Sequence, residues 1–219
     1  MKTILITGSN RGIGLELCRQ LAGRGDRIVA ACRQSSPELT ALDVQLIDNV
    51  DVGSDESIAG LQKALGNTKL DWLINNAGIL DRDTLNHLDW QQISRQFEIN
   101  AIGPLRVTAA LRANLAPGAK VGILTSRMGS IDDKTSGAYY GYRMSKAAVN
   151  IAGKSLSHDL KADQISVALL HPGMVATEMT GGQGIPVEQS AKGLIQRMDE
   201  LELATSGSFW HAEGYPLPW

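Results

Sequence analysis

The amino-acid sequence predicts an α/β fold, with a mostly parallel sheet and helices on both of its faces. Short apolar segments alternate with longer segments of helical periodicity, an order typical of parallel sheets. The apolar segments contain few polar positions, as expected for strands that are covered on both faces. Because 219 residues suffice for one well-buried core, we expect a single domain over 1–219.

Seven segments are candidate strands, and five longer segments between them are candidate helices. The strands are predicted at 3–7, 27–32, 44–47, 70–75, 120–125, 165–170 and 208–212. The helices are predicted at 14–23, 55–65, 90–115, 140–162 and 186–203. Two stretches rich in glycine and polar residues, 127–141 and 173–186, are predicted loops long enough to be functional or mobile.

Composition excludes several classes of function. The formal net charge of −2 provides no general basic field for nucleic acid or anionic lipid. Two cysteines, Cys18 and Cys32, cannot form a disulfide framework, and no Cys/His cluster has zinc spacing. No apolar run approaches the roughly 20 residues that span a bilayer, and "MKTILITGS" lacks the apolar region of a signal peptide. We expect a cytoplasmic protein that uses no metal and binds neither nucleic acid nor membrane.

The first predicted strand leads into a glycine-rich turn, "TGSNRGIG" at 7–14. Glycines permit a tight turn and close approach of the backbone, and the following helix N-terminus presents free N–H groups to a phosphate. The spacing Gly8-x-x-x-Gly12-x-Gly14 differs from the general G-x-G-x-x-G fingerprint. A turn without a ligand is the alternative, but the position at the first βα turn of an alternating chain favours a dinucleotide.

The end of the second predicted strand indicates which dinucleotide. An NAD site usually has an acidic residue here, which binds the ribose 2′-hydroxyl. This sequence has Cys32 and Arg33 instead, and Arg11 lies in the glycine turn. Two guanidinium groups suit a 2′-phosphate, so we predict NADP(H) in preference to NAD(H). The alternative is that Arg33 is a solvated surface residue.

Further motifs follow the glycine turn along the chain: Asp51-Val52, "NNAG" at 75–78, Asn100, Ser126, Tyr142-x-x-x-Lys146 and the Pro172-Gly173…Thr177 segment. Together with the glycine turn, they resemble the short-chain dehydrogenase/reductase family over nearly the whole chain. The closest subgroup is the small C-factor-like or sniffer-like carbonyl reductases, on the cues "SRMGSI" and "GYPLPW". The resemblance implies a Rossmann-type, doubly wound sheet of seven strands, with the ligand across the carboxyl ends of the strands.

The stretch "GAYYGYRMSK" at 137–146 contains three tyrosines, any of which could be packing or a reagent. A lysine four residues after a tyrosine lies on the same helix face, where its ammonium lowers the pKa of the phenol. Only Tyr142 has such a lysine, Lys146; Tyr139 has Arg143 at that spacing but is predicted to precede the helix, and Tyr140 has neither. Tyr142 is therefore the predicted proton donor, and Tyr139 and Tyr140 are predicted pocket wall or loop packing.

Two further residues are assigned to catalysis. Ser126 ends the fifth predicted strand and is expected to orient the substrate oxygen; Ser130 is its competitor, and the family pattern favours Ser126. The resemblance alone implies that Asn100 supports a water relay to the lysine. We expect a structural role for His171, and a solvated loop of mixed charge at 81–83.

The predicted activity is the reversible reduction of an aldehyde or ketone by NADPH, with hydride from the nicotinamide and the proton from Tyr142. Two alternatives remain: a nucleotide-binding signalling protein of C-factor type, or an NAD-dependent alcohol dehydrogenase. The expected partners are a small carbonyl or alcohol substrate and, from the family, a homodimer or homotetramer. The predicted cofactor-binding residues are Gly8, Asn10, Arg11, Gly12, Ile13, Gly14, Arg33, Asp51, Val52, Asn76, Ala77, Gly78, Tyr142, Lys146, Pro172, Gly173, Val175 and Thr177.

Overall fold

The computed structural model describes residues 1–219 and contains one parallel sheet of seven strands in the order β3-β2-β1-β4-β5-β6-β7. The predicted fold class is confirmed. The strands are β1 (Thr3–Thr7), β2 (Arg27–Ala31), β3 (Gln45–Ile47), β4 (Leu70–Asn75), β5 (Leu115–Leu124), β6 (Ser166–His171) and β7 (Ser208–His211). The chain runs from β1 outward to β3 and then crosses to β4, so the order reverses beside β1, where open α/β sheets bind ligands.

Seven α-helices cover the two faces of this sheet. They are α1 (Gly12–Gly23), α2 (Pro37–Thr40), α3 (Asp55–Leu65), α4 (Trp90–Phe97), α5 (Gly103–Ala110), α6 (Tyr140–Asp159) and α7 (Val187–Glu200). Short 3₁₀ turns lie at Arg112–Asn114, Arg127–Gly129, Glu178–Thr180 and Leu203–Thr205. None of the helices combines the length and the apolar character needed to cross a bilayer.

The strands are apolar on both faces because each face contributes to a separate core. Alternate side chains such as Leu5 pack with residues of α3, α5 and α6, including Val149. The intervening side chains, such as Ile4 and Ile6, pack with α1 and α7, including Leu17. This arrangement keeps the carboxyl edge of the sheet in place between the two helical layers.

The predicted helix at 90–115 forms as a continuous helical stretch from α4 through α5, but it ends at Ala110 and is not α-helical throughout. A π-helical turn at Glu98–Ile102 lies between α4 and α5, and a 3₁₀ turn follows α5. Pro104 lies at the start of α5, directly after the π-turn, and has no N–H to donate within the helix. π-turns inside helices frequently mark functional sites, and this one contains Asn100.

Candidate active site

A cavity of about 840 Å³ opens at the carboxyl edge of the sheet. Four of the predicted site residues, Asn100, Ser126, Gly173 and Val175, do not line it. Sixteen of them do: Gly8, Asn10, Arg11, Gly12, Ile13, Gly14, Arg33, Asp51, Val52, Asn76, Ala77, Gly78, Tyr142, Lys146, Pro172 and Thr177. The tertiary structure thus brings most of the predicted residues, from distant parts of the chain, into one cavity.

The glycine turn can hold a phosphate group. Gly8 has a φ of 65°, and a Cβ there would lie 2.8 Å from the Ala77 Cα. A Cβ on Gly14 would lie 2.2 Å from the Gly8 carbonyl oxygen, so both positions require glycine. Helix α1 begins with no side-chain cap on its N–H groups and no acidic residue in its first turn. Those N–H groups therefore remain available to an anion in the cavity.

Asn76 has a structural contribution that its motif did not predict. Its side-chain amide donates to the carbonyl oxygens of Thr7 and Gly8, each at 2.9 Å. Its backbone N–H donates to the Thr7 hydroxyl at 3.1 Å. The end of β4 therefore holds the glycine turn in its shape.

Two acidic groups that sequence reasoning missed contact residues of the predicted 2′-phosphate region. Arg33 is exposed and lines the cavity, whereas Arg11 forms an exposed ion pair with Glu178. The Asp48 carboxylate follows β3 and accepts from the Cys32 thiol at 3.5 Å. These contacts join separate segments of the chain. Only the fold brings Glu178 to the glycine turn and Asp48 to the end of β2.

Tyr142 and Lys146 lie one turn apart in α6, and both side chains are buried. The Lys146 ammonium lies 5.7 Å from the centre of the Tyr142 ring and donates to the Leu124 carbonyl oxygen at 2.9 Å. The Ser126 hydroxyl accepts the Met128 N–H at 3.1 Å and lies close enough to the Tyr142 phenol to lower its pKa slightly. Tyr142 and Lys146 therefore lie together at the wall of the cavity, and Ser126 lies beside the phenol without lining the cavity itself.

Burial dominates the electrostatics of this group. Burial raises the pKa of Tyr142 to about 12, against a smaller opposing effect of the Ser126 hydrogen bond. Burial also lowers the pKa of Lys146 to about 8. In the protein alone the net shift is therefore upward, because loss of water outweighs the effect of Ser126. The lowering of this pKa by Lys146 stays a prediction. At neutral pH, Tyr142 is an intact phenol that can donate a proton.

Asn100 lies behind this group and is completely buried. Its side-chain oxygen accepts the Ile79 N–H at 2.8 Å, and its amide donates to the Ile79 carbonyl at 2.9 Å. The same amide donates to the Ser145 hydroxyl at 3.0 Å. Gly78 brings this side chain close to Lys146, since a Cβ on Gly78 would lie 3.2 Å from Asn100 Oδ1 and 3.7 Å from Lys146 Nζ.

The alternative candidates for the catalytic serine and tyrosine make other contacts or lie outside the cavity. The Ser130 hydroxyl donates to the Trp219 carbonyl oxygen at 3.1 Å and accepts the Asp133 N–H. Tyr139 precedes α6 with a left-handed backbone, and neither Tyr139 nor Tyr140 lines the cavity. Only Tyr142 of the three tyrosines reaches it.

His171 is buried at the end of β6, and its ring lies 5.0 Å from that of His211 in an edge-on contact. Burial lowers the pKa of His171 to about 3, so the imidazole is neutral at physiological pH. It does not line the cavity, consistent with the structural role that we expected.

Two residues near the cavity were missed by sequence reasoning. The 81–83 segment is not uniformly solvated, because Asp83 is only 7% exposed. Gln96 is completely buried and accepts the Asp81 N–H at 3.1 Å. A short run of alternating charge gives no signal of such burial, which depends on the packing of α4 against α6.

Comparisons with known proteins identify the family. The short chain dehydrogenase model matches residues 2–185. The chain belongs to the short-chain dehydrogenase family. It is 45% identical, over the full length of both chains, to the 1-hydroxy-2-glutathionyl-2-methyl-3-butene dehydrogenase of Rhodococcus sp. (strain AD45). It is 44% identical to the C-signal protein of Myxococcus xanthus, over 68% of this chain and 93% of that one.

Solved structures of short-chain dehydrogenases share the fold over the whole chain. The NADPH-bound carbonyl reductase from chicken fatty liver superposes with a TM-score of 0.90 at 27% identity, covering 100% of this chain and 99% of the other. The carbonyl reductase Sniffer of Drosophila melanogaster superposes with a TM-score of 0.89 at 29% identity, covering all of both chains. The predicted resemblance to C-factor-like and sniffer-like members is confirmed.

Proposed function

We propose that this short-chain dehydrogenase catalyses the reversible, NADPH-dependent reduction of an aldehyde or ketone to an alcohol. The observation that carries the proposal is the buried pair of Tyr142 and Lys146 at the wall of the cavity, with Ser126 beside the phenol. A nucleotide-binding module has no need of a phenol, a hydroxyl and an ammonium in this arrangement. The likeness to the chicken and Drosophila carbonyl reductases supports the same reaction.

The residues present fit a dinucleotide. The uncapped N-terminus of α1 would hold its phosphates, and Asp51 with Val52 would hold the adenine. Lys146 would bind the nicotinamide ribose, and the Pro172–Thr177 segment would lie beside the nicotinamide ring. When bound, NADPH would supply the hydride.

Proton transfer is assigned to Tyr142. With a pKa of about 12, the phenol keeps its proton at neutral pH and can give it to the developing alkoxide of the substrate. Ser126 would donate a hydrogen bond to the same oxygen and orient it. Lys146, with a pKa of about 8, is mostly protonated at pH 7 and would stabilise the phenolate that remains. Asn100 would support Lys146 from behind.

The preference for NADPH rests on Arg33 and Arg11. Both are exposed at the side of the cavity that would hold the adenosine ribose, and each can form charge-assisted bonds with a 2′-phosphate. The carboxylates of Glu178, which pairs with Arg11, and of Asp48, beside Cys32, would oppose that preference by repelling a 2′-phosphate. We therefore expect a moderate selectivity rather than an absolute one.

A second candidate is the oxidation of an alcohol, with NAD as a possible acceptor. It is favoured by the Rhodococcus relative, whose name describes the dehydrogenation of a hydroxyl-bearing glutathione conjugate. The same side chains would serve, with the phenolate of Tyr142 accepting the proton. A signalling role is a third candidate, supported by the C-signal relative.

The proposed function is tested by a turnover screen with NADPH over aldehydes, ketones and quinones, and with NADP⁺ and NAD⁺ over alcohols that include glutathione conjugates. Tyr142→Phe should lower kcat by at least about a hundredfold, the range of general acid catalysis, with a much smaller change in the Kd for NADPH. Tyr140→Phe, the same change two residues away and outside the cavity, is the matched control. Full activity of Tyr142→Phe would disprove the assignment; nucleotide binding without any turnover would favour the signalling role.

A further inference from the structure

Helix α6 begins in a strained backbone conformation. Ala138 and Tyr139, the two residues before it, have φ angles of 61° and 55°, a region that residues other than glycine rarely adopt. The side chain of Tyr139, at the N-cap position, accepts no hydrogen bond from the first turn of the helix. Such a conformation persists only where surrounding contacts hold it.

Those contacts come from Asp83. Its carboxylate oxygens accept the N–H groups of Tyr140 and Gly141, the latter at 2.9 Å, and its carbonyl oxygen accepts the Tyr139 N–H at 2.9 Å. Three consecutive N–H groups are thus bound by one buried residue from another part of the chain. A carboxylate is well suited to this place, because the N-terminus of a helix carries a partial positive charge.

The segment that contains Asp83 is itself tied to the catalytic region. Ile79 is bonded through both its N–H and its carbonyl to Asn100, and the Asp81 N–H donates to Gln96. Gly141 packs closely on this assembly, since a Cβ there would lie 2.5 Å from Gln96 Nε2. The 79–83 segment therefore links the π-turn to the first turn of α6.

We propose that Asp83 is a positioning residue for the reaction. It does not line the cavity, but Tyr142 follows one residue after the last N–H that it binds. By holding the first turn of α6, Asp83 places the Tyr142 hydroxyl against Ser126 and the reacting oxygen. This role rests on the proposed function, in which Tyr142 transfers the proton. Displacement of a reacting group by about 1 Å can cost about a hundredfold in rate.

The test compares Asp83→Asn and Asp83→Ala with Asp71→Asn. The Asp71 carboxylate also accepts a backbone N–H, that of Thr3 at 2.7 Å, but at the opposite edge of the sheet. We expect kcat per cofactor-binding site to fall at least tenfold in Asp83→Asn, which keeps one acceptor oxygen, and further in Asp83→Ala. The Kd for NADPH should stay within twofold, and Asp71→Asn should change neither quantity by more than twofold.

Hydrogen–deuterium exchange of the 138–146 peptide supplies a readout that needs no turnover. We expect this peptide to exchange faster in both Asp83 variants than in the unsubstituted protein. In Asp71→Asn its exchange rate should be unchanged. Unchanged exchange would overturn the contact itself, and unchanged kcat per site would overturn its effect on catalysis. If the unsubstituted protein turned over no substrate, the proposed function would fail, whereas exchange would still decide whether Asp83 holds the helix.

Discussion

Replacing Lys146 by methionine should make the protein more stable at neutral pH while abolishing its turnover. The ammonium is buried, and its only hydrogen bond is to the Leu124 carbonyl oxygen. Methionine has a similar length and no charge, so it can occupy the same space without the cost of removing an ion from water.

The magnitude follows from the pKa. Burial lowers the pKa of Lys146 from 10.5 to about 8, and at about 1.4 kcal/mol for each pH unit this corresponds to roughly 3 kcal/mol of destabilisation at pH 7. The variant also loses the hydrogen bond to the Leu124 carbonyl oxygen, which reduces its stability by about 1 kcal/mol. The net gain is about 2 kcal/mol, or a rise in Tm of about 4–8 °C for a chain of this size.

The pH dependence separates this effect from ordinary packing. Because the folded-state pKa lies below the unfolded-state value, the unfolded chain binds more protons between about pH 8 and 10.5. The penalty is therefore complete below pH 8 and disappears as the pH rises to 10.5. The advantage of Lys146→Met over the unsubstituted protein should shrink by about 2–3 kcal/mol between pH 7 and pH 10.

Urea unfolding of the cofactor-free proteins at pH 7 and pH 10 measures this difference. The matched control is Lys154→Met, on the same helix, where the ammonium donates to the Gly207 carbonyl oxygen at 3.3 Å and is only partly buried. This variant removes an ammonium from the same helix without emptying a buried site. Taking differences between proteins at one pH cancels the contributions of Tyr142 and the cysteines. An advantage of Lys146→Met that did not change with pH would refute the reasoning.

Three further outcomes are expected. Arg33→Asp should raise the Kd for NADPH about tenfold or more, the effect of losing one charge-assisted phosphate contact, and leave NADH binding nearly unchanged; equal effects in a fluorescence titration would reject the selectivity argument. Glu178→Gln should lower the Kd for NADPH about two- to fivefold, since it frees Arg11 from an exposed ion pair worth up to about 1 kcal/mol. An unchanged Kd would show that the ion pair does not compete with the cofactor for Arg11. Gly14→Ala should give little folded protein because its Cβ would lie 2.2 Å from a backbone oxygen, whereas Gly60→Ala, with open space in α3, should raise Tm slightly; similar circular-dichroism melts for both would contradict this.

Local patterns were sufficient to predict the strands, because each strand is covered on both faces and is therefore apolar along its length. The boundaries agree within a residue or two for six strands, and β5 begins five residues earlier than expected. The π-turn between α4 and α5 was not predicted, since helical periodicity continues through it. The spacing of Tyr142 and Lys146 likewise predicted their common position on a helix, because four residues make about one turn.

The sequence alone determined the order of the elements, the family, and which tyrosine faces a lysine. All of these depend on neighbours along the chain or on motifs read in order. Only the tertiary structure showed that the site is buried, which raises the pKa of Tyr142 to about 12 and lowers that of Lys146 to about 8. It also decided that Asp83 holds the start of α6 and that Glu178 pairs with Arg11. These properties depend on the burial of side chains and on contacts between distant segments. Neither can be inferred from the spacing of residues along the chain.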